Sequence, residues 1–158
     1  MKGISFSFLT LSILIACSNG DDVNHELTAK FKGAWVNATF NIEMNTFRNG
    51  KDHKTFSVKE GDWEKQMGVR PLLTMYHENG SYVTEHRNLK DSVFLNQAGK
   101  WTIIGDSLFM RDTLPEEGNW YRYRIVINGD HCKIIGIEDS DNDGKLDDLY
   151  TGELRKVK

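Results

Sequence analysis

Cysteine and proline are scarce in this chain, with two of each in 158 residues. Two cysteines allow one disulfide at most, so a disulfide-stapled framework is excluded and stability must come from a core or a bound metal. Basic residues are not in excess: 20 Lys and Arg stand against 23 Asp and Glu, for a net charge of −3. That balance gives no electrostatic footprint for nucleic acid. No apolar run reaches the roughly 20 residues a helix needs to cross a bilayer. There is no long helical pattern, no βαβ unit and no low-complexity stretch. Catalytic signatures are also missing. His25, His53, His77, His86 and His131 are scattered without HExxH spacing, and no serine sits in a GxSxG elbow. Cys132 follows His131, but neighbours on a strand point to opposite faces, so the pair does not make a thiol–base couple. These absences argue against an enzyme.

What is present begins with a targeting segment. Lys2 supplies a positive start, and Ile4 to Ile15 form a short apolar run containing several Ser and Thr. Leu14-Ile15-Ala16-Cys17 resembles a bacterial lipobox. The resemblance implies removal of residues 1–16, lipidation of Cys17 and a flexible tether over 17–24. More than one acyl chain gives stable anchoring. Ser18, where Asp would signal inner-membrane retention, implies the outer membrane. With Cys17 acylated, Cys132 has no partner and is expected as a small buried residue.

The remaining residues, 25–158, read as one domain, and an apolar fraction of 39% is enough for a core. Leu27 and Phe31 suggest one or two helical turns ending near Gly33. Period two then takes over, with Ala34, Val36, Ala38, Phe40 and Ile42 alternating against Trp35 and Asn37. Strands are also expected over 53–59, 72–78, 81–87, 100–104, 107–111, 119–127, 132–138 and 149–157, with a short piece over 93–95 extending the pairing of 72–78 with 81–87. Asn79-Gly80, Gly105-Asp106 and Asn128-Gly129 mark hairpin turns. Residues 61–70 show no dominant period. Eight to ten strands in a meander protect their edges best by closing, so the expectation is an all-β, antiparallel up-and-down barrel.

The most chemical stretch is Asp139-Ser-Asp-Asn-Asp-Gly-Lys-Leu-Asp147. Acids at positions 1, 3, 5 and 9 suit a hard cation, which takes six to eight oxygen ligands. Gly144 permits the sharp turn. Without a cation, carboxylates about 5 Å apart repel by roughly 3 kcal/mol at an effective dielectric near 20. Tyr150 stands where an EF-hand needs Glu, and both flanks look like strands. The pattern resembles the DxDxDGxxD calcium loops carried on β-hairpins in integrin-type blades. That resemblance implies Asp139, Asp141, Asp143 and Asp147 as side-chain ligands of Ca²⁺, with Lys145 giving its carbonyl. The alternative is a solvated turn without metal, since Asp, Asn and Gly are ordinary turn formers.

Gly33-Ala34-Trp35 at the head of the meander is similar to the G-x-W of lipocalins and of lipocalin-like envelope lipoproteins. The resemblance implies that Trp35 closes one barrel end beneath a basic residue of the last strand, Arg155 in preference to Lys156. Tyr76, Tyr82, Trp101, Tyr121 and Tyr123 are candidates for lining a ligand space. Period two places Tyr121, Tyr123, Ile125 and Ile127 inside the barrel and Trp120, Arg122 and Arg124 outside. Two functions follow from this reading. One is a carrier for a small apolar or amphipathic molecule, and the other is a filled barrel that meets a protein or glycan. The sequence names no protein partner.

Overall fold

Alternating strands punctuated by glycine turns close on themselves in a computed structural model, which describes residues 22–118 and 120–158. The signal segment and Cys17 lie outside the described residues. A helix α1 (His25–Phe31) leads into β1 (Gly33–Met44) and β2 (Lys54–Val58), and a short helix α2 (Trp63–Met67) follows. The meander continues through β3 (Leu73–Tyr76), β4 (Ser81–Arg87), β5 (Val93–Ile104) and β6 (Ser107–Leu114). It ends with β7 (Trp120–Asn128), β8 (His131–Glu138) and β9 (Asp148–Lys156). Each of β3 to β9 pairs antiparallel with the next, and β9 returns to β1. Eight strands therefore form a closed barrel, and β2 is an extra strand on the upper part of β1. Closure removes the exposed sheet edge that a meander would otherwise present.

Three local features depart from simple alternation. The pairing of β1 with β9 shifts between Asn37 and Thr39, a bulge at Ala38. Strict period two would put Trp35 and Phe40 on opposite faces, but the extra residue turns both inward. Trp35 is fully buried and Phe40 nearly so. Residues 93–104 form one long strand where two pieces were expected, because β4 and β6 pair with different parts of it. The stretch without a period contains α2, whose Trp63 meets the Phe40 ring edge-on at 5.2 Å.

The lower end of the barrel is plugged. Asn24 caps α1 by accepting from the Leu27 amide at 3.0 Å, and its own side-chain amide donates to the Gly105 carbonyl at 2.9 Å. This holds Phe31 over the opening, where it stacks on Trp35 at 5.4 Å and packs on Tyr76 and Trp101. Trp35 Nε1 donates to the Phe31 carbonyl at 2.5 Å. Burying such a ring contributes about 1.5–3 kcal/mol. The cation above Trp35 is Lys156, at 5.2 Å from the ring, and not Arg155. Lys156 lies opposite Trp35 in the β1–β9 register, so their side chains share a face. Arg155 is one residue away, points outward and pairs with Glu60 at 2.5 Å.

Two interior glycines let tyrosine rings lie against the backbone. Gly99 is opposite Tyr82 and Gly136 is opposite Tyr123. A Cβ on Gly136 would stand 2.6 Å from Tyr123 Cδ1 and 3.0 Å from the Arg122 carbonyl. Gly136→Ala should therefore cost about 1–3 kcal/mol through overpacking. Thermal melts should show the loss, and a melting curve equal to that of the native chain would contradict this packing.

Candidate ligand cup and acidic loop

The interior changes character from bottom to top. Below, Phe31, Trp35, Tyr76, Trp101, Ile103 and Leu108 fill the barrel. Trp101 Nε1 donates to the carbonyls of His77 and Ser81 at 3.1 and 3.0 Å, and neither Trp101 nor Tyr76 borders the open space above, so both belong to the packed floor. Above them, Tyr121 and Tyr123 border unfilled space together with Gln97, Asp112 and Glu138, and Tyr82, buried opposite Tyr76 in the same core, reaches the lower edge of that space. Of the five aromatic candidates, the structure thus brings these three tyrosines together at the cup.

Polar groups in the cup are tied pairwise. The Tyr82 hydroxyl donates to Asp112 Oδ1, and Gln97 Nε2 donates to Asp112 Oδ2 at 2.6 Å. The Tyr123 hydroxyl donates to Glu138 Oε1 at 2.7 Å. On the register of Gln97, the hydroxyls of Thr74 and Thr84 are 2.9 Å apart. Tyr121 and Tyr123 stack at 6.5 Å with 20° between their planes. Burial pushes the Tyr82 and Tyr123 phenols well above their usual range, and the adjoining Asp112 and Glu138 carboxylates add to this. Burial also raises the Glu138 carboxyl, although the Tyr123 and Ser140 hydrogen bonds act the other way. Arg122 and Arg124 stand on the outer face of β7, away from the cup interior. Arg124 pairs with Asp106 at 3.0 Å, and Arg122 Nε donates to the Ser107 hydroxyl at 3.2 Å.

At the rim the acidic loop folds around its own amides. Asp139 accepts from the amides of Asp143 and Gly144 at 2.9 and 3.0 Å, and Asp143 Oδ1 accepts from Lys145 N at 2.9 Å. Gly144 has φ 89°, a conformation that favours glycine. Asp139, Asp141 and Asp148 each place a carboxylate oxygen within 4.8 Å of the others. Asp148 is 1% exposed. Its Oδ2 accepts from Ser140 N at 2.8 Å, while its Oδ1 is buried without a partner.

Asp143 and Asp147 reach instead to the loop between β1 and β2. Asp147 Oδ2 accepts from the Thr46 hydroxyl at 3.0 Å, and Asp143 Oδ2 accepts from Asn49 N at 2.9 Å. The Arg48 amide donates to Asp141. Arg48 and Asn49 have φ of 52° and 59°, which turns successive amides toward the acids as an anion-binding nest. The sequence pattern assigns ligand positions up to Asp147 and leaves Asp148 as a spare carboxylate. The only available signal was a second acid directly before a strand. Asp112 and Glu138 were also missed as cup residues, although period two from Leu108 and Ile134 reaches both. No protein-family model matches this sequence, and no curated protein matches it either.

Cys132 is fully buried while His131 is exposed, so the two side chains diverge. Burial pushes the Cys132 thiol up to about 12. Its neutral form is favoured by the fold, so its contribution is intact below the ordinary thiol value of 9.0 and is lost as pH rises toward about 12. In a Cys17→Ser chain, a disulfide reagent at pH 8 should modify Cys132 only as fast as the protein unfolds. Rapid labelling of the folded state would overturn this assignment.

Proposed function

We propose that this chain is a lipid-anchored envelope protein whose barrel takes a small amphipathic molecule into its upper cup, with Ca²⁺ bracing the rim. The observation that carries the reading is the division of the interior. An aromatic floor is filled, and above it three tyrosines and two carboxylates surround space. Ligand sites combine apolar walls with a few convergent polar groups, and this cup has both. The filled floor leaves no room below for a long apolar chain, so the ligand class narrows to amphipathic molecules. The competing reading, a filled barrel acting as an interaction module, describes the lower half alone.

The lipobox supports anchoring at Cys17 and an outer-membrane address. The Asn24 amide bonds the Ile103 carbonyl at 2.9 Å, which fastens the start of the domain to the plugged end. A tether entering there would turn the plug toward the membrane and the cup away from it. The resemblance to lipocalin-like lipoproteins agrees with the barrel and with Lys156 over Trp35. We read the domain as non-enzymatic, since its single buried thiol diverges from the adjacent histidine.

The metal reading is supported by chemistry that the loop leaves incomplete. A buried carboxylate oxygen without a donor, within 4.8 Å of two more carboxylates, fits a hard cation. Asp139, Asp141 and Asp148 would hold it, with the Lys145 carbonyl as a further oxygen donor, while Asp143 and Asp147 tie the loop to the β1–β2 connection. The ion would neutralise repulsion of roughly 3 kcal/mol per close pair at an effective dielectric near 20.

Two measurements test these proposals. Millimolar Ca²⁺ should stabilise the protein by about 1–3 kcal/mol, as expected for a site of extracellular affinity at ten- to hundredfold excess. Asp148→Asn should melt higher than the native chain in chelator and lose the Ca²⁺ response; an unmoved native melting curve would exclude the site. For the ligand, native mass spectrometry of the protein taken from its own envelope should detect a non-covalent small-molecule adduct. Tyr121→Ala should lose that adduct. Adduct-free protein under gentle conditions would count against the carrier reading.

A further inference from the structure

The charge inside the cup narrows the ligand further than its shape does. Asp112 stands on β6 and Glu138 on β8, and both carboxylates face the space bordered by Tyr82, Tyr121 and Tyr123. Their side-chain partners are neutral. Asp112 has the Tyr82 hydroxyl and the Gln97 amide, and Glu138 has the Tyr123 and Ser140 hydroxyls. Arg122 and Arg124 of β7 extend on the outer face of the barrel, where Arg124 is paired with Asp106. On β4, beyond the Tyr82 phenol, His86 Nε2 lies 3.4 Å from Gln97 Oε1.

We propose that the cup selects an organic cation, a molecule with a small ammonium head on an apolar or aromatic body. Three features of the site lead to this class. First, a carboxylate offers about four acceptor positions, and Asp112 has two side-chain donors, so capacity remains for an N–H of the ligand. A charge-assisted bond of that kind is about twice as strong as a neutral one. Second, the paired faces of Tyr121 and Tyr123 attract a cation through their ring quadrupoles. Third, a ligand carboxylate or phosphate would add a like charge beside two others, and among the described residues no Lys or Arg borders the cup from the inner face to offset it. Fatty acids are thereby rejected by the same groups that attract amines. This proposal rests on the reading of the cup as a ligand site and adds the sign of the ligand's charge.

The test uses three probes of nearly equal shape, titrated into the purified full chain by calorimetry: 2-phenylethylamine, 2-phenylethanol and 3-phenylpropanoate. The amine should bind about tenfold more tightly than the alcohol, and the carboxylate more weakly than either. Asp112→Asn keeps an acceptor for Tyr82 and should reduce the preference for the amine to about threefold or less. The order of the three probes on the native chain decides the matter even if that variant does not fold. Should the alcohol or the carboxylate equal the amine, the cation proposal is overturned while the cup remains a ligand site. If none of the three binds and native protein also carries no adduct, both readings fall together.

Discussion

Barrel closure runs through β1, which supports three partners along its 12 residues. One edge pairs with β9 along most of its length, and the other is shared by β3 below and β2 above. The bulge at Ala38 is what makes this double use workable. It turns Trp35 into the lower core, among Phe31, Tyr76 and Trp101, and Phe40 into the upper cluster with Val58 and Trp63. A strand in strict alternation would have left one of these aromatic rings facing solvent. The plug, the closure and the docking of α2 therefore share a single irregularity, and none can be lost without exposing a large ring.

Much of this architecture was legible in the sequence because turns and period two are local signals. Asn79-Gly80, Gly105-Asp106 and Asn128-Gly129 stand at hairpin turns between β3 and β4, β5 and β6, and β7 and β8. The face assignment of β7 also agrees with the structure, with Ile125 buried and Trp120 53% exposed. What was not legible depends on register between distant strands. Lys156 and Arg155 are equivalent as basic residues of a last strand, and only pairing with Trp35 selects the first. The same holds for α2, whose five residues are too few to show a helical period and are kept in place by Trp63 against Phe40.

The candidate site was readable to the same limit. Spacing identified the acidic loop, yet spacing cannot report which acid the fold buries. Asp148 begins β9 opposite Glu138, and that pairing draws it under the loop, whereas Asp147 turns out to Thr46. Aromatic composition likewise marked five rings without dividing floor from cup. The division comes from α1, since Phe31 fills the lower end and makes Tyr76 and Trp101 part of a packed core. Tyr123 instead lies over Gly136 higher in the barrel, and Tyr82, over Gly99 and opposite Tyr76, marks the boundary between the two.

Glu138 joins the two halves of the functional argument. It is the last residue of β8, bonded on one side to Tyr123 in the cup and on the other to Ser140, whose amide serves Asp148. The negative charge of Asp148 is itself one cause of the raised Glu138 carboxyl. Charge placed at the loop and charge placed in the cup are thus felt by one common side chain. In a partly buried setting such interactions are weakly screened by salt. Any coupling between the two sites must also be reciprocal, with loop neutralisation affecting the cup as much as cup occupancy affects the loop. The β1–β2 loop strengthens the connection, because its Arg48 and Asn49 amides bind the same acids from outside the barrel. The rim is in this sense one electrostatic unit: three loop carboxylates, and beside them two cup carboxylates held by neutral donors.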